Sequence, residues 1–478
     1  MKRIPIIILF IIAGLLFAQN DFDDWKKKQA SQLNSYREKQ DTEFANFLET
    51  NWEKFKTYKS NRPDDTPKPI KVPETKPKEL KQVNDDKKIS KIEVKIEKPE
   101  KKENVLFAVD KSAPVIEIDY FGLKMDYNYQ DKFTMDWDKL DEKVISKFWL
   151  KVSSTDYKTL IDQLKIHKEK MEINDWGYCL LINKIGSRVV VGNENLQRMF
   201  VWFLLTKSGY DSKIGFNEDN LYLLLPTNQE IYNVSYVMID NSRYYAISFN
   251  SEQKLNIALK TYEKSYPDSD ALINLNVDKS PKIGTAIVEK ELKFKYGKEM
   301  YNIPVKYDTN AIKFFQKYPQ TNLDVYFNAP LSPIAINSLT EGFQTILKGR
   351  SETEAANILL RFVQTAFEYK TDDEQFGKEK SFFSDEMLFY PYSDCEDRSI
   401  LYSFLVSKLL NLHVIGLDFP GHISTAVKFN SIVEGDSVIF NESNYTICDP
   451  TYINANLGMS IPKYKNLEPE IIELAKKK

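Results

Sequence analysis

Between Asn61 and Asn104 the chain turns to Lys, Glu and Asp punctuated by Pro63, Pro67, Pro69, Pro73, Pro77 and Pro99, and aromatic residues drop out. Such a stretch cannot bury enough apolar surface to offset the entropy of ordering it, so residues 61–104 are expected to form an extended, solvated, disordered linker. One compact globule is not expected. At 478 residues, the remainder is long enough for two or three domains.

Two segments precede the linker. Lys2 and Arg3, the apolar run Ile4 to Ala18, and the polar pair Gln19 and Asn20 have the three-part form of an export signal over residues 1–19. The run falls short of the ~20 apolar residues that a bilayer span needs. The expected product is an exported chain, periplasmic or extracellular, with no membrane span after cleavage behind Ala18. Residues 20–60 read as an amphipathic helix, because Phe22, Leu33, Phe44 and Phe55 recur every eleven residues, as do Trp25, Tyr36, Phe47 and Tyr58. A period of eleven, ~3.67 residues per turn, keeps such a stripe on one helix face. The stripe suits either self-association or docking of another protein through residues 22–58, or packing onto the chain's own body.

Beyond the linker the pattern is α+β. Residues 105–262 carry a strand pattern at Val115 to Tyr120, helical patterns at Asp156 to Lys170, Asp175 to Ile185 and Glu194 to Lys207, and strands at Asn220 to Leu225, Val234 to Ile239 and Arg243 to Ser248. Residues 263–335 read as a β-rich region with short strands at Lys293 to Tyr296, Ile303 to Tyr307 and Leu323 to Phe327. Residues 336–478 open on two helices, Asn337 to Ile346 and Ser351 to Phe367. The last region echoes the first: Cys395, Arg398, Leu405 and Ile447 lie 200 residues after Asn195, Arg198, Leu205 and Ile247. Ile415-Gly416-Leu417 likewise matches Ile214-Gly215-Phe216. The echo suggests a degenerate duplicate in which Asn195, Leu221 and Phe249 stand where Cys395, His422 and Asp449 stand later.

Those three residues are the chemical core of the reading. Ser393-Asp394-Cys395-Glu396-Asp397-Arg398 opens an apolar helical run, Gly421-His422-Ile423-Ser424 follows a Pro-Gly turn, and Cys448-Asp449-Pro450-Thr451 ends a strand pattern. The chain has only three His and three Cys, so the order Cys, His, Asp, each at a structural transition, points to nucleophilic cysteine chemistry. With Asp394 as N-cap, Cys395 falls in the first helical turn, where unpaired N–H groups and the macrodipole favour a thiolate. The same N–H groups, including that of Cys395, can donate to an oxyanion. His422 would act as base and acid, and Asp449 would fix its tautomer. Gln375, Tyr390 and Tyr392 are further oxyanion candidates. Asp394, Glu396 and Asp397 crowd the thiol, and are expected to be held by backbone or by Arg398. Cys179 and Cys448 read as buried, inert thiols, His413 as a partner of a helix C-terminus, and His167 as an exposed helical residue.

Asp394-Cys395-Glu396-Asp397-Arg398, Gly421-His422 and Asp449-Pro450-Thr451 together resemble the transglutaminase-like superfamily of papain-like cysteine enzymes, over roughly residues 350–455. The overall arrangement is similar to that of exported proteins of Bacteroidetes-type bacteria. The resemblance implies a papain-like core, with the Cys helix packed on an antiparallel sheet that carries His and Asp. It also implies acyl-enzyme chemistry on peptide or protein amides, by hydrolysis or by amine transfer. Ile423 and Ser424 depart from the aromatic strand that often follows the His in exported members.

A formal net charge of −3 and the lack of a basic, aromatic surface argue against a nucleic-acid partner. No Cys-x-x-Cys, His-Glu-x-x-His or phosphate-loop spacing occurs, so neither a metal nor a cofactor is expected. The alternative to an enzyme is an envelope scaffold or binding protein that keeps the same fold with a silent triad.

Overall fold

A computed structural model describes residues 5–62, 71–81, 83, 86–90, 92, 109–130, 132–218, 220–249 and 257–475. The start of the expected signal and much of the linker lie outside them. Among the described residues no helix is long and apolar enough to cross a membrane.

Helix α1 (Pro5–Thr50) ends where side chains take over its last carbonyls: Asn51 Nδ2 donates to Phe47 O and Trp52 Nε1 to Leu48 O. Two short strands follow, β1 (Glu53–Phe55) and β2 (Thr57–Lys59). The expected helix over residues 20–60 is therefore too long, and Phe55 and Tyr58 of the eleven-residue stripe sit on strands. The stripe is also divided in its use. Phe44 meets Trp149 with ring centroids 4.7 Å apart and Phe47 meets Tyr262 at 5.9 Å, whereas Leu33 and Tyr36 are exposed. A buried ion pair anchors this end of α1. Asp41 accepts from Trp149 Nε1 at 3.0 Å and pairs with Lys207, whose ammonium lies 4.1 Å from the centre of the Tyr266 ring.

The first folded region contains the hairpin β3 (Val115–Tyr120) and β4 (Leu123–Asn128) and helices α2 (Glu142–Ser153), α3 (Tyr157–Lys170), α4 (Asp175–Val189) and α5 (Glu194–Lys207). Strands β5 (Lys213–Asn217), β6 (Asn220–Pro226), β7 (Ser235–Ile239), β8 (Ser242–Ile247) and β9 (Leu259–Thr261) complete it. Its antiparallel sheet has the order β1-β9-β5-β6-β8-β7-β2. Since only Lys56 separates β1 from β2, one extended segment pairs with both ends of the sheet and closes it into a barrel without open edges.

The middle region is less β-rich than expected. It holds one long hairpin, β10 (Ile287–Tyr296) with β11 (Glu299–Asp308), and two helices, α6 (Thr309–Phe315) and α7 (Leu323–Asn328). The run at Leu323 is thus a helix. Its side chains Val325, Tyr326 and Phe327 are all buried, which removes the alternation that would mark a half-buried strand.

The last region contains α8 (Pro333–Leu347), α9 (Glu352–Thr365), β12 (Glu368–Tyr369), α10 (Asp372–Phe376), α11 (Ser384–Phe389), β13 (Tyr392–Ser393) and α12 (Cys395–Leu405). A π turn, Val406–Leu410, leads to β14 (His413–Phe419), β15 (His422–Lys428), β16 (Ser437–Phe440), β17 (Ser443–Cys448) and β18 (Glu470–Glu473). The sheet order is β16-β17-β15-β14-β18. Without β1 and β2, the first sheet reads β7-β8-β6-β5-β9, the same order. Equivalent strands also share register: Leu223 pairs with Ile247 as Ala426 pairs with Ile447, and Gly215 pairs with Tyr222 as Gly416 pairs with Thr425.

The described part of the linker is not free. Thr75 N donates to Ile453 O and Ile453 N to Pro73 O, both at 2.9 Å. Further on, Ile89 N donates to Arg350 O and Gly349 N to Ile89 O. Main-chain pairing with the last region holds this strap, and most of its described lysines stay exposed. Composition cannot register such pairing.

His167 is buried, and its Nδ1 lies 2.7 Å from the Tyr127 hydroxyl, which overturns the reading of an exposed residue. Burial, assisted by Lys170, lowers its pKa to about 4. The unfolded chain then binds the extra proton first, so stability falls as pH drops below ~6.5 and levels off near 4. His167→Gln should abolish that slope, worth about 1–3 kcal/mol, in urea unfolding followed from pH 7 to pH 4.

Candidate active site

Helix α12 begins at the residue the sequence indicated. Asp394 is extended (φ −115°, ψ −154°) and forms a reciprocal cap with Asp397, whose Oδ2 accepts from Asp394 N. Oδ1 of Asp397 accepts from Phe382 N at 2.9 Å. Two of the crowding acids are thereby bound to backbone, leaving Cys395 as the first helical residue. Arg398 points elsewhere. Its guanidinium donates to Ser393 Oγ, Gln364 O and Phe367 O, so of the two holders expected for the acids, backbone and Arg398, the hydrogen bonds of Asp397 show the backbone. Burial pulls its pKa down to about 10.

Glu396 is the acid that stays beside sulfur. The Cys395 thiol donates to Glu396 Oε2 at 3.3 Å, and Oε1 faces Arg62 Nη1 at 3.8 Å. Arg62 also reaches Glu379 at 3.7 Å and Ser381 Oγ at 2.5 Å. Burial acts to lower the pKa of this guanidinium, but Glu396 and Glu379 outweigh it and hold the pKa above its ordinary value. Arg62 carried no motif, and no sequence signal linked it to residue 396.

His422 is the first residue of β15, after a turn in which Gly421 adopts φ +71°. Its Nε2 lies 2.8 Å from Asp449 Oδ2, while Asp449 Oδ1 accepts from the N–H groups of Thr451 and Tyr452 at 2.9 and 3.1 Å. The carboxylate, having no proton to give, takes Nε2–H and leaves the lone pair on Nδ1, which makes no hydrogen bond among the described residues. One turn after Cys395, Ser399 Oγ donates to Ile423 O at 3.1 Å, which seats the Cys helix against the His strand. The Tyr464 ring stacks on the imidazole with centroids 4.9 Å apart and planes 19° apart. Burial raises the Tyr464 phenol; Lys463 opposes this, and Cys395 and Asp449 add to it.

The arrangement is closed. Cys395, His422 and Asp449 are 0, 1 and 2 % exposed, and the thiol's bond goes to Glu396 rather than to Nδ1.

The oxyanion candidates fare differently. Tyr390 accepts from Gln316 Nε2 and stacks on Phe382, and Tyr392 lies under Lys370, so both are engaged elsewhere. Gln375 is half-buried on α10, whose first residue, Asp372, approaches Glu396. The sequence reading passed over Gln364. Its buried amide donates to the carbonyls of Asp449, Tyr452 and Ala455 and holds the loop that carries the carboxylate. Carboxylate oxygens of Asp372, Glu379, Asp394 and Glu396 lie within 4.8 Å of one another. This is the set that could face a cation, and the Arg62 guanidinium pairs with two of its members.

The other thiols are inert by environment: burial raises Cys179 strongly and Cys448 to about 12. His413 opens β14, and its Nδ1 lies 3.0 Å from the Tyr445 hydroxyl, so it does not cap a helix.

At the matching place in the first sheet, Asn195 Oδ1 accepts from Leu221 N at 3.1 Å and from Arg198 at 3.3 Å. Phe249 packs on Trp176, with ring centroids 5.5 Å apart. The β5–β6 hairpin closes one residue pair earlier than β14–β15 when the two are aligned on Gly215 and Gly416. Leu221 therefore aligns with Ser424 and not with His422, as the sequence register had suggested.

No protein-family model, no curated protein and no solved structure matches this chain.

Arg62→Met should destabilise the fold by ~3–5 kcal/mol at pH 7.5, because it strips a buried carboxylate of its partner. Chemical denaturation of both proteins at that pH measures this.

Proposed function

We propose that the chain is an exported cysteine enzyme of transglutaminase-like, papain-like type that forms a thioester with peptide or protein amides and then hydrolyses it. The observation that carries this reading is the imidazole, bound through Nε2 to Asp449 with Nδ1 left as a base, on the strand against which the Cys395 helix packs. His422 Nδ1 takes the thiol proton, and the thiolate attacks the amide carbon to form a C–S bond. The oxyanion faces the Cys395 N–H at the helix start, with Gln375 as the side-chain candidate. As the C–N bond breaks, the imidazolium protonates the leaving amine. Water, activated by the same Nδ1, then attacks the thioester to give the acid and the restored thiol. An acceptor amine in place of water would give transamidation. Substrate reaches sulfur once Tyr464 leaves the imidazole face and the thiol turns from Glu396 to Nδ1.

A second reading, a catalytically silent envelope scaffold, is favoured by the complete burial of Cys395 and by its bond to Glu396. The two readings part on thiol reactivity. For the enzyme, iodoacetamide should modify Cys395 selectively in the native protein, faster in Tyr464→Gly. His422→Ala should slow both labelling and amide hydrolysis by about 10²–10⁴-fold. If Cys395 stays unmodified in the native protein and in Tyr464→Gly, and no amide in a peptide library is cleaved or transferred, the scaffold reading replaces the enzyme.

A further inference from the structure

The strap stands off the last region over part of its path. Between it, the β10–β11 hairpin and α9 lies a cavity of about 1270 Å³. One wall is a face of α9 that presents Asn357, Arg361 and Thr365 at helical spacing. Arg361 is 8 % exposed, and its guanidinium donates to Asn454 Oδ1 at 2.5 Å and Asn456 Oδ1 at 3.4 Å. Both partners are neutral amides. Among the described residues no carboxylate pairs with Arg361, and the acid on the same wall, Glu354, is taken by Arg350 at 2.8 Å. Of the acids on the strap side, Asp86 accepts from Thr353. Burial pulls the Arg361 pKa below its ordinary value.

A guanidinium withdrawn from water without a counter-ion costs several kcal/mol unless an anion meets it. Lys88, Lys293 and Lys295 line the same space and outnumber the remaining strap acid, Glu79, while Tyr296 and Met300 offer apolar surface. The volume exceeds the usual 300–1,000 Å³ range of small-molecule pockets, so the space admits more than a lone ion.

We propose that this cavity binds a ligand bearing an oxyanion (carboxylate, phosphate or sulfate) whose oxygens pair with Arg361, its organic remainder lying against Tyr296 and Met300. The site stands apart from the cysteine chemistry, and the proposal does not depend on it.

Calorimetric titration of the full chain with citrate, inorganic phosphate and sulfate at constant ionic strength, with chloride as control, tests it. One saturable site is expected. Preference for citrate would assign a carboxylate ligand, and preference for phosphate or sulfate a tetrahedral anion. Arg361→Gln should raise Kd at least roughly tenfold. Lys293→Glu, on a side chain that is 63 % exposed, should preserve the fold and also weaken binding. The proposal is overturned if none of the three anions saturates, or if a folded Arg361→Gln binds like the parent. Should Arg361→Gln fail to fold, unchanged affinity in Lys293→Glu overturns it.

Discussion

Glu396 sets the electrostatic condition for the last region. A carboxylate buried against a thiol is tolerable only when a positive charge reaches it, because an unpaired buried charge costs several kcal/mol. The nearest basic residue in sequence, Arg398, is committed to carbonyls of the α9–β12 connection. Arg62 supplies the charge from more than three hundred residues away. It does so because the three preceding elements are fixed in succession: α1 is anchored by Asp41 and Lys207, β1 and β2 close the barrel, and the chain leaves β2 only three residues before Arg62. The environment of the candidate nucleophile is therefore built partly by a residue that follows directly on the barrel.

The two sheets have the same strand order and much the same register, yet only one gathers reactive groups. In the first, Asn195 occupies the helix start and spends its side chain on Leu221 N and Arg198, while Phe249 fills the carboxylate position with an apolar ring. The shorter β5–β6 hairpin removes the strand position on which an imidazole would sit. The added strands β1 and β2 also tie this sheet shut. Both sheets share the packing of helix on sheet, but the first has an amide and an apolar ring where the last has the thiol and the carboxylate.

Much of this was legible in the chain. Helix starts at Glu194 and Cys395, the strand that carries His422, the strand that ends just before Asp449, and the N-cap at Asp394 follow from local patterns that tertiary packing leaves intact. The failures share a different cause. Residues 20–60 were read by periodicity, but Trp52 caps the helix and the next residues are drawn into sheet edges, a non-local pairing that periodicity does not record. Leu323 to Phe327 looked like a strand because a short apolar run is ambiguous. His167 looked exposed among lysines, although its own face of α3 packs on Tyr127. Arg62, Gln364 and Arg361 were invisible for a related reason, since each matters through partners remote in sequence, and composition marks none of them.

On the proposed reading, the distance between the closed arrangement and a reacting one is small in energetic terms. The thiol that donates to Glu396 is protonated and poorly nucleophilic. When it leaves Glu396, that carboxylate keeps its Arg62 partner. Lifting Tyr464 from the imidazole gives up a stacked ring contact of about 0.5–1.5 kcal/mol together with some buried area. Neither change disturbs the Asp449 loop, which Gln364 and two backbone N–H groups hold in place. The carboxylate that orients the imidazole is thus anchored by the interior, while the thiol and the Tyr464 ring must move. Substrate binding of ordinary strength suffices to shift such an equilibrium, because a ligand needs only a few kcal/mol of preference for the open form to populate it.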